Sequence, residues 1–208
     1  GAKMVVMACN ISSAVALPKA RERFPNTPIL GVIEPGATAA LATGARRIGV
    51  LATQGTVTSG AYTRAIMAAE PLANIVEVPC PRFVPLVEAG QTESPEALCA
   101  AREYLSPIAQ AGCEAIILGC THYPFLLPAL QKAAAELFPA NARPAFVDPA
   151  QETTREVDCL LKRHGIAAPN PAVPAHRYCV SGDVAQFEER GTIFLGSPIV
   201  CAQRITLG

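Results

Sequence analysis

Short apolar runs recur along the chain, and each is followed by a stretch with helical spacing of apolar and polar positions. Short runs that are apolar throughout are typical of parallel strands buried on both faces of a sheet. The predicted strands are Met4–Ala8, Ile29–Ile33, Arg47–Ala52, Asn74–Val78, Ala115–Gly119 and Ala145–Asp148. The predicted helices are Ser13–Arg23, Ala37–Thr43, Ser59–Glu70, Pro95–Ala111, Pro124–Leu137 and Thr153–Arg163. This alternation predicts an α/β fold with mainly parallel sheets flanked by helices.

Two places depart from the simple alternation. Pro18 falls inside the first predicted helix, where we expect it to cost a hydrogen bond or to delay the start of the helix. Arg177–Ser181 is predicted as one more strand, whereas Gly191–Gly208 shows no clear period. No helix or strand is therefore predicted for residues 191–208.

Composition narrows the class of protein. The chain has 208 residues, 50% of them apolar and 16% charged, and its 17 basic residues balance its 17 acidic residues. Disorder requires low hydrophobicity and high net charge, and nucleic-acid binding usually leaves a basic footprint. No apolar run approaches the roughly 18 residues that a membrane-spanning helix needs. We therefore expect a globular protein with no nucleic-acid partner and no membrane segment.

The chain contains 8 cysteines at irregular spacing. No pair has the spacing of a zinc site, so no metal is predicted. A disulfide-stapled secreted domain would be shorter and richer in cysteine. Reduced thiols in a cytoplasmic protein, most of them buried, are the simpler interpretation.

Two cysteines share one local pattern. In Val5–Ser12 and again in Ile116–Tyr123, an apolar strand is followed by a small residue, a cysteine, polar residues and a predicted helix. Ligand sites of open α/β sheets lie at the carboxyl ends of strands. A helix that begins there lowers the pKa of a thiol and attracts an anion such as a carboxylate. Cys9 and Cys120 are therefore the candidate reactive thiols.

These motifs resemble those of a known family. Ala8–Asn10 and Gly119–Pro124 are similar to the paired cysteine motifs of glutamate racemases, whereas aspartate racemases usually carry Glu where His122 stands. Further resemblances lie in Gly49–Thr56, in Phe83–Glu88, in Ser181–Asp183 and in Phe194–Gly196.

The resemblance implies a cytoplasmic, cofactor-independent enzyme that interconverts L- and D-glutamate and supplies D-glutamate for peptidoglycan. It implies two pseudo-symmetric α/β lobes with the active site in the cleft between them. One lobe would comprise residues 1–33 and 143–208, and the other residues 34–142. Homodimers are common in the family, so the resemblance allows a homodimer, although nothing in the sequence fixes an interface.

Inversion of an α-carbon needs a base on one face and an acid on the other. The resemblance assigns proton removal from D-glutamate to Cys9 and from L-glutamate to Cys120. The two sulfur atoms should then lie about 6–8 Å apart across the substrate.

Position in the sequence and the family resemblance together suggest which residues would assist the two thiols or bind the substrate. His122 would assist Cys120, unless it only packs or caps the next helix. Candidate donors to the substrate are Asn10, Thr53, Thr56 and Thr121, although threonines at such places also form ordinary caps. Glu88 would contact the substrate ammonium or His122, or else lie on a solvated surface.

Two departures from the family weaken the prediction of activity. Ile11 stands where the family usually has Thr, and one lost hydrogen bond to a charged ligand costs about 1.5–3 kcal/mol. The family's Asp-Ser-Gly and Pro-Tyr-Gly segments, which precede the first cysteine, have no counterpart before Cys9. We therefore expect the chain as it stands to be a partial racemase with little activity.

Three alternatives stay open from the sequence. The chain could act as an aspartate or hydantoin racemase, against which the residues after Cys120 argue. It could be a non-catalytic relic that still binds an amino acid, a view supported by Ile11. A thiol hydrolase is a third alternative, but it would need one activated cysteine instead of two.

Overall fold

A computed structural model of the chain describes residues 1–168 and 175–206. The chain divides into two compact units, Gly1–Ala167 and Ala168–Gly208. The strands of the first unit are β1 (Val5–Val6), β2 (Ile29–Leu30), β3 (Arg47–Ala52), β4 (Asn74–Pro79), β5 (Ala115–Gly119) and β6 (Ala145–Val147). In the second unit, the described residues form β7 (Cys179–Val180), α9 (Val184–Leu195) and β8 (Gln203–Arg204).

Eight α-helices connect the strands of the described part of the first unit. They are α1 (Asn10–Arg23), α2 (Ile33–Leu41), α3 (Gln54–Ser59), α4 (Ala61–Ala69), α5 (Phe83–Glu88), α6 (Pro95–Gln110), α7 (Leu127–Leu137) and α8 (Pro149–Arg163). Two short 3₁₀ helices, Tyr123–Leu126 and Ala140–Ala142, flank α7. None of the described helices is long and apolar enough to cross a membrane.

Every strand pairing in the described residues is parallel, which confirms the predicted α/β class. Strands β1 and β2 form a two-stranded sheet, and four more strands form a sheet in the order β4-β3-β5-β6. Strands β3 and β5 have the predicted bounds and are almost wholly buried. The division into lobes at residues 34 and 143 stays a prediction.

The core of the four-stranded sheet lies between its central strands and helices α2 and α4. Ile48, Val50 and Ile117 on the sheet and Tyr62 and Ile66 on α4 are fully buried in one apolar cluster. On the other face, a Cβ atom on Gly49 would lie 2.8 Å from the side chain of Ile108 on α6. Helices therefore pack closely on both faces, as the apolar strand runs predicted.

Strand β1 differs from its prediction in length and in burial. Only Val5 and Val6 are extended, and their exposed fractions are 39% and 40%. Within the described residues β1 pairs with β2 alone, so one edge of this strand is uncovered. The prediction of a buried strand over Met4–Ala8 was wrong for that reason.

Two helix starts were also predicted wrongly. Helix α1 begins at Asn10 and continues through Pro18, whose missing N–H leaves the carbonyl of Ala14 without its helical donor. Helix α2 begins at Ile33, so the end of the predicted strand is helical. Pro35 lies in its first turn, where proline is tolerated because those N–H groups have no partner within the helix.

Candidate active site

Cys9 directly precedes α1 and lies beyond the end of β1, from which Met7 and Ala8 separate it. It has extended backbone angles (φ −90°, ψ 127°), its side chain is exposed, and its carbonyl oxygen accepts the N–H of Ser13 at 2.9 Å. The Ser13 hydroxyl donates to the carbonyl of Met7 at 2.7 Å and accepts from the N–H of Val32 at 3.2 Å. Ser13 thus ties the start of the helix to both strand ends and fixes the backbone that carries Cys9.

Asn10, the first residue of α1, is almost fully buried. Its Oδ1 atom accepts a 2.7 Å hydrogen bond from the hydroxyl of Tyr62 on α4. Tyr62 is fully buried, and the pKa of its hydroxyl is raised by burial and by the nearby Glu77, Asp148, Cys120 and Glu34. The hydroxyl therefore keeps its proton.

Cys120 directly follows β5 and is half-buried. Burial raises the pKa of its thiol, and the charge that Cys9 carries when ionised raises it further. Hydrogen bonds from the backbone of His122 and from the Thr121 side chain partly oppose this rise. The opposed pair of thiols, with sulfur atoms about 6–8 Å apart, stays a prediction.

His122 lies between a thiol and a carboxylate. Its Nδ1 is 3.8 Å from Sγ of Cys120 and 3.4 Å from the Thr121 hydroxyl, and its Nε2 is 2.8 Å from Oε1 of Glu88. A carboxylate accepts, so Nε2 carries a proton, and in the neutral ring Nδ1 is an acceptor facing Cys120. Of the roles predicted for Glu88, contact with His122 is the one that this geometry favours.

The short helix α5 carries Glu88 to His122. Its first residue, Phe83, packs edge-on against the ring of Tyr123, with the ring centres 5.1 Å apart. Tyr123 also donates a hydrogen bond to the carbonyl of Cys80 at 3.2 Å. This aromatic contact fixes α5 beside the residues that follow β5.

Thr53 and Thr56 form a hydroxyl pair at the start of α3. Their Oγ1 atoms are 3.1 Å apart, Thr53 is the residue before the helix, and Thr56 is fully buried. Ile11 packs on this turn, because a Cβ on Gly55 would lie 3.1 Å from its Cδ1. The first turn of α1 therefore contacts the threonine turn through an apolar side chain.

A cavity of about 350 Å³ opens beside Cys120. Three of the predicted site residues line it: Asn10, Cys120 and Thr121. The other predicted site residues do not line it: Cys9, Ile11, Thr53, Thr56, Glu88 and His122. Asp148 and Thr153, at the start of α8, also line it.

Sequence reasoning missed Asp148 and Tyr62. Asp148 follows a strand, as Cys9 and Cys120 do, so the strand-end rule could have found it. No local signal marks Tyr62, since a tyrosine in a helical apolar pattern is typical of a core residue. As for metals, residues 1–168 and 175–206 contain no group of three His, Cys, Asp or Glu side chains that could bind an ion.

Comparison with known proteins gives a consistent set of relatives. A family model described as Asp/Glu/Hydantoin racemase matches residues 1–157. The chain is 41% identical over 194 residues to a glutamate racemase of Microcystis aeruginosa. That alignment covers 93% of this chain and 66% of the Microcystis protein, so the chain spans slightly less than two thirds of that relative.

Solved structures of glutamate racemases are also similar to this chain. The crystal structure of glutamate racemase from Francisella tularensis, in complex with D-glutamate, superposes with a TM-score of 0.88 at 27% identity, covering 98% of this chain and 74% of that one. The racemase from Thermus thermophilus, in complex with β-chloro-D-alanine, superposes with a TM-score of 0.83 at 36% identity, covering 100% and 73%.

Proposed function

Since the chain belongs to the Asp/Glu/Hydantoin racemase family, we propose that it interconverts L- and D-glutamate without a cofactor. The two relatives with solved structures described above are named glutamate racemases, and one of them was crystallised with D-glutamate. The product D-glutamate would enter peptidoglycan synthesis in the cytoplasm.

The observation that carries the proposal is the arrangement at the end of β5, where the Cys120 sulfur lies 3.8 Å from Nδ1 of His122 and borders a cavity of about 350 Å³ that Asn10, next to Cys9, also lines. Cys9 lies directly before α1, and Cys120 lies directly after β5. In the proposed reaction one thiolate removes the Cα proton and becomes a thiol. The opposite thiol delivers its proton to the other face of the carbanion and becomes a thiolate. Proton exchange with water then resets the pair.

His122 supports the Cys120 half of the reaction. With Nε2–H donating to Glu88, its Nδ1 can accept the proton of the Cys120 thiol and generate the thiolate. Without such a base, the raised pKa of Cys120 would leave little thiolate near neutral pH. The Glu88 carboxylate stabilises the imidazolium that forms.

Neutral donors would bind the carboxylates of glutamate. Asn10 and Thr121 offer an amide and a hydroxyl group in the lining of the cavity beside Cys120, and Thr53 offers a hydroxyl group that the buried Thr56 holds in place. None of these groups adds a charge that would repel the substrate. Such donors also stabilise the negative charge that spreads onto the α-carboxylate when the Cα proton leaves.

Proton exchange in D₂O tests the proposal directly. The chain is incubated with each enantiomer of glutamate, Cα deuteration is followed by NMR, and the enantiomers are separated by chiral chromatography. We expect slow racemisation with deuterium incorporation, in keeping with the low activity that the sequence predicts for this chain. Cys9→Ser and Cys120→Ser should each reduce racemisation at least ~100-fold, and each should retain exchange of only one enantiomer. Cys99→Ser, which replaces an exposed thiol on α6, is the matched control.

Other results would favour the alternatives. Faster turnover of aspartate than of glutamate would indicate a different racemase of the family. Binding of glutamate in calorimetry, without exchange or racemisation, would indicate a binding module. Retention of full activity in either serine variant would contradict the two-thiol mechanism.

A further inference from the structure

Tyr62 is the buried residue that contacts the surroundings of both thiols. Its hydroxyl donates to Oδ1 of Asn10, which follows Cys9. Its ring lies against Gly119, which precedes Cys120, because a Cβ on Gly119 would be 3.1 Å from Tyr62 Cε2. The side chain is fully buried and does not line the cavity beside Cys120.

We propose that Tyr62 is a positioning residue, whose hydroxyl holds the Asn10 amide with its NH₂ group directed toward the glutamate carboxylate. The inference rests on the proposed function, since it names what the Asn10 amide binds. It assigns to Tyr62 an effect on substrate affinity that is exerted through Asn10 alone.

The direction of the hydrogen bond follows from the protonation of Tyr62. The hydroxyl is fully buried, and because burial raises its pKa it keeps its proton, which needs an acceptor. Oδ1 of Asn10 is that acceptor at 2.7 Å. An amide has its oxygen and nitrogen on different sides, so fixing Oδ1 against Tyr62 turns the NH₂ group away from Tyr62, and Asn10 lines the cavity beside Cys120.

The tyrosine itself is held on several sides. The Glu77 carboxylate on β4 accepts from both the N–H of Thr63, at 3.1 Å, and its hydroxyl, at 2.6 Å, which anchors the first turn of α4. A Cβ on Gly36 would lie 3.1 Å from the Tyr62 ring, so α2 also packs directly on it. The ring therefore has no room to change rotamer, and its hydroxyl position is fixed before substrate arrives.

A double-mutant cycle tests the proposal. Tyr62→Phe should raise the KM for glutamate about 10-fold and change kcat less than 3-fold, because the amide then loses its fixed orientation. Asn10→Ala should raise KM at least as much. Adding Tyr62→Phe to Asn10→Ala should have no further effect on KM.

Tyr104→Phe is the matched control. Tyr104 is also a buried tyrosine, but its hydroxyl accepts from Arg82, so its removal should leave KM unchanged. If the two site substitutions add independently, or if Tyr62→Phe lowers stability without changing KM, the proposal is wrong.

A spectroscopic measurement separates this proposal from the proposed function. The side-chain amide signal of Asn10, identified in a ¹⁵N–¹H spectrum by its loss in Asn10→Ala, should shift in Tyr62→Phe without any ligand. An unmoved signal overturns the positioning role even if the enzyme is active. If the unchanged chain neither binds nor racemises glutamate, the proposed function fails, and the glutamate-directed role of Tyr62 fails with it, whatever the amide signal shows.

Discussion

Oε1 of Glu88 lies 2.8 Å from Nε2 of His122, and this contact turns the other ring nitrogen toward Sγ of Cys120 at 3.8 Å. The Glu88 carboxylate, the His122 imidazole and the Cys120 thiol therefore form one continuous chain of contacts. Each member sets the protonation of the next, since the carboxylate fixes the tautomer that makes Nδ1 an acceptor. The first prediction follows from this chain of contacts.

Glu88→Gln removes the charge that stabilises protonated His122 while preserving the shape of the side chain. We expect kcat/KM for glutamate to fall roughly 10- to 100-fold. The fall must be equal in both directions, because the two enantiomers have the same free energy in water. Initial rates of racemisation, followed by the circular dichroism of glutamate at several substrate concentrations, give kcat/KM. The control is Glu93→Gln, because Glu93 is an exposed carboxylate that follows α5, and this variant should keep the kcat/KM of the unchanged chain. An equal fall in both variants would contradict the role of Glu88.

Ile11→Thr places a hydroxyl in the first turn of α1, beside the threonine turn on which Ile11 packs. We expect KM to fall up to ~10-fold, since a hydrogen bond to a charged group contributes about 1.5–3 kcal/mol, part of which is lost with the apolar contact. Steady-state kinetics measures the change. Ile11→Val keeps the branched shape without a hydroxyl and should not lower KM; if it did, packing would be the cause.

Gly119→Ala introduces a Cβ that would lie 2.9 Å from the carbonyl oxygen of Leu51. Backbone atoms in the middle of a sheet cannot move aside, so we expect the free energy of unfolding to fall by about 1–3 kcal/mol. Urea unfolding followed by circular dichroism measures it. Gly182→Ala is the control, because no atom of the described residues lies within 4 Å of its added Cβ. Equal stability of the two variants would contradict the close approach.

Stability should fall in alkaline solution because burial raises the pKa of Cys80 above its ordinary value of 9.0. Above pH 9 the unfolded chain loses this proton while the folded chain keeps it, so deprotonation favours unfolding by about 1.4 kcal/mol per pH unit. Below pH 9 both states are protonated and the effect is absent. Urea midpoints should therefore change little between pH 7 and pH 8 and fall between pH 9 and pH 10, and the fall should be smaller in Cys80→Ala; an equal fall in both proteins would contradict this.

The parts of the fold that follow from local pattern were predictable. The apolar runs of β3 and β5 gave their bounds correctly, because a strand buried on both faces has no polar positions to confuse the pattern. Cys120 was placed at the end of β5 for the same reason, whereas β1 ends at Val6, before the strand end that was predicted next to Cys9. Short helices such as α3 and α5 were missed, since 6 residues are too few to show a helical period.

The residues of the site that were not predicted from the sequence depend on contacts between residues far apart in the chain. Nothing near Tyr62 in the sequence indicates that its hydroxyl would reach Asn10, and Asp148 reaches the cavity only because β6 pairs with β5. The burial of Tyr62 is indistinguishable in the sequence from that of Ile66 on the same helix. Such partners are set by tertiary packing, which local patterns do not encode.

The hydrogen bond between Asn10 and Tyr62 joins residues 52 positions apart in the chain. During refolding, α1 and α4 can each form within microseconds, but this bond must wait until the intervening strands have docked. Catalytic competence should therefore return later than the far-ultraviolet helical signal, with a delay set by sheet assembly.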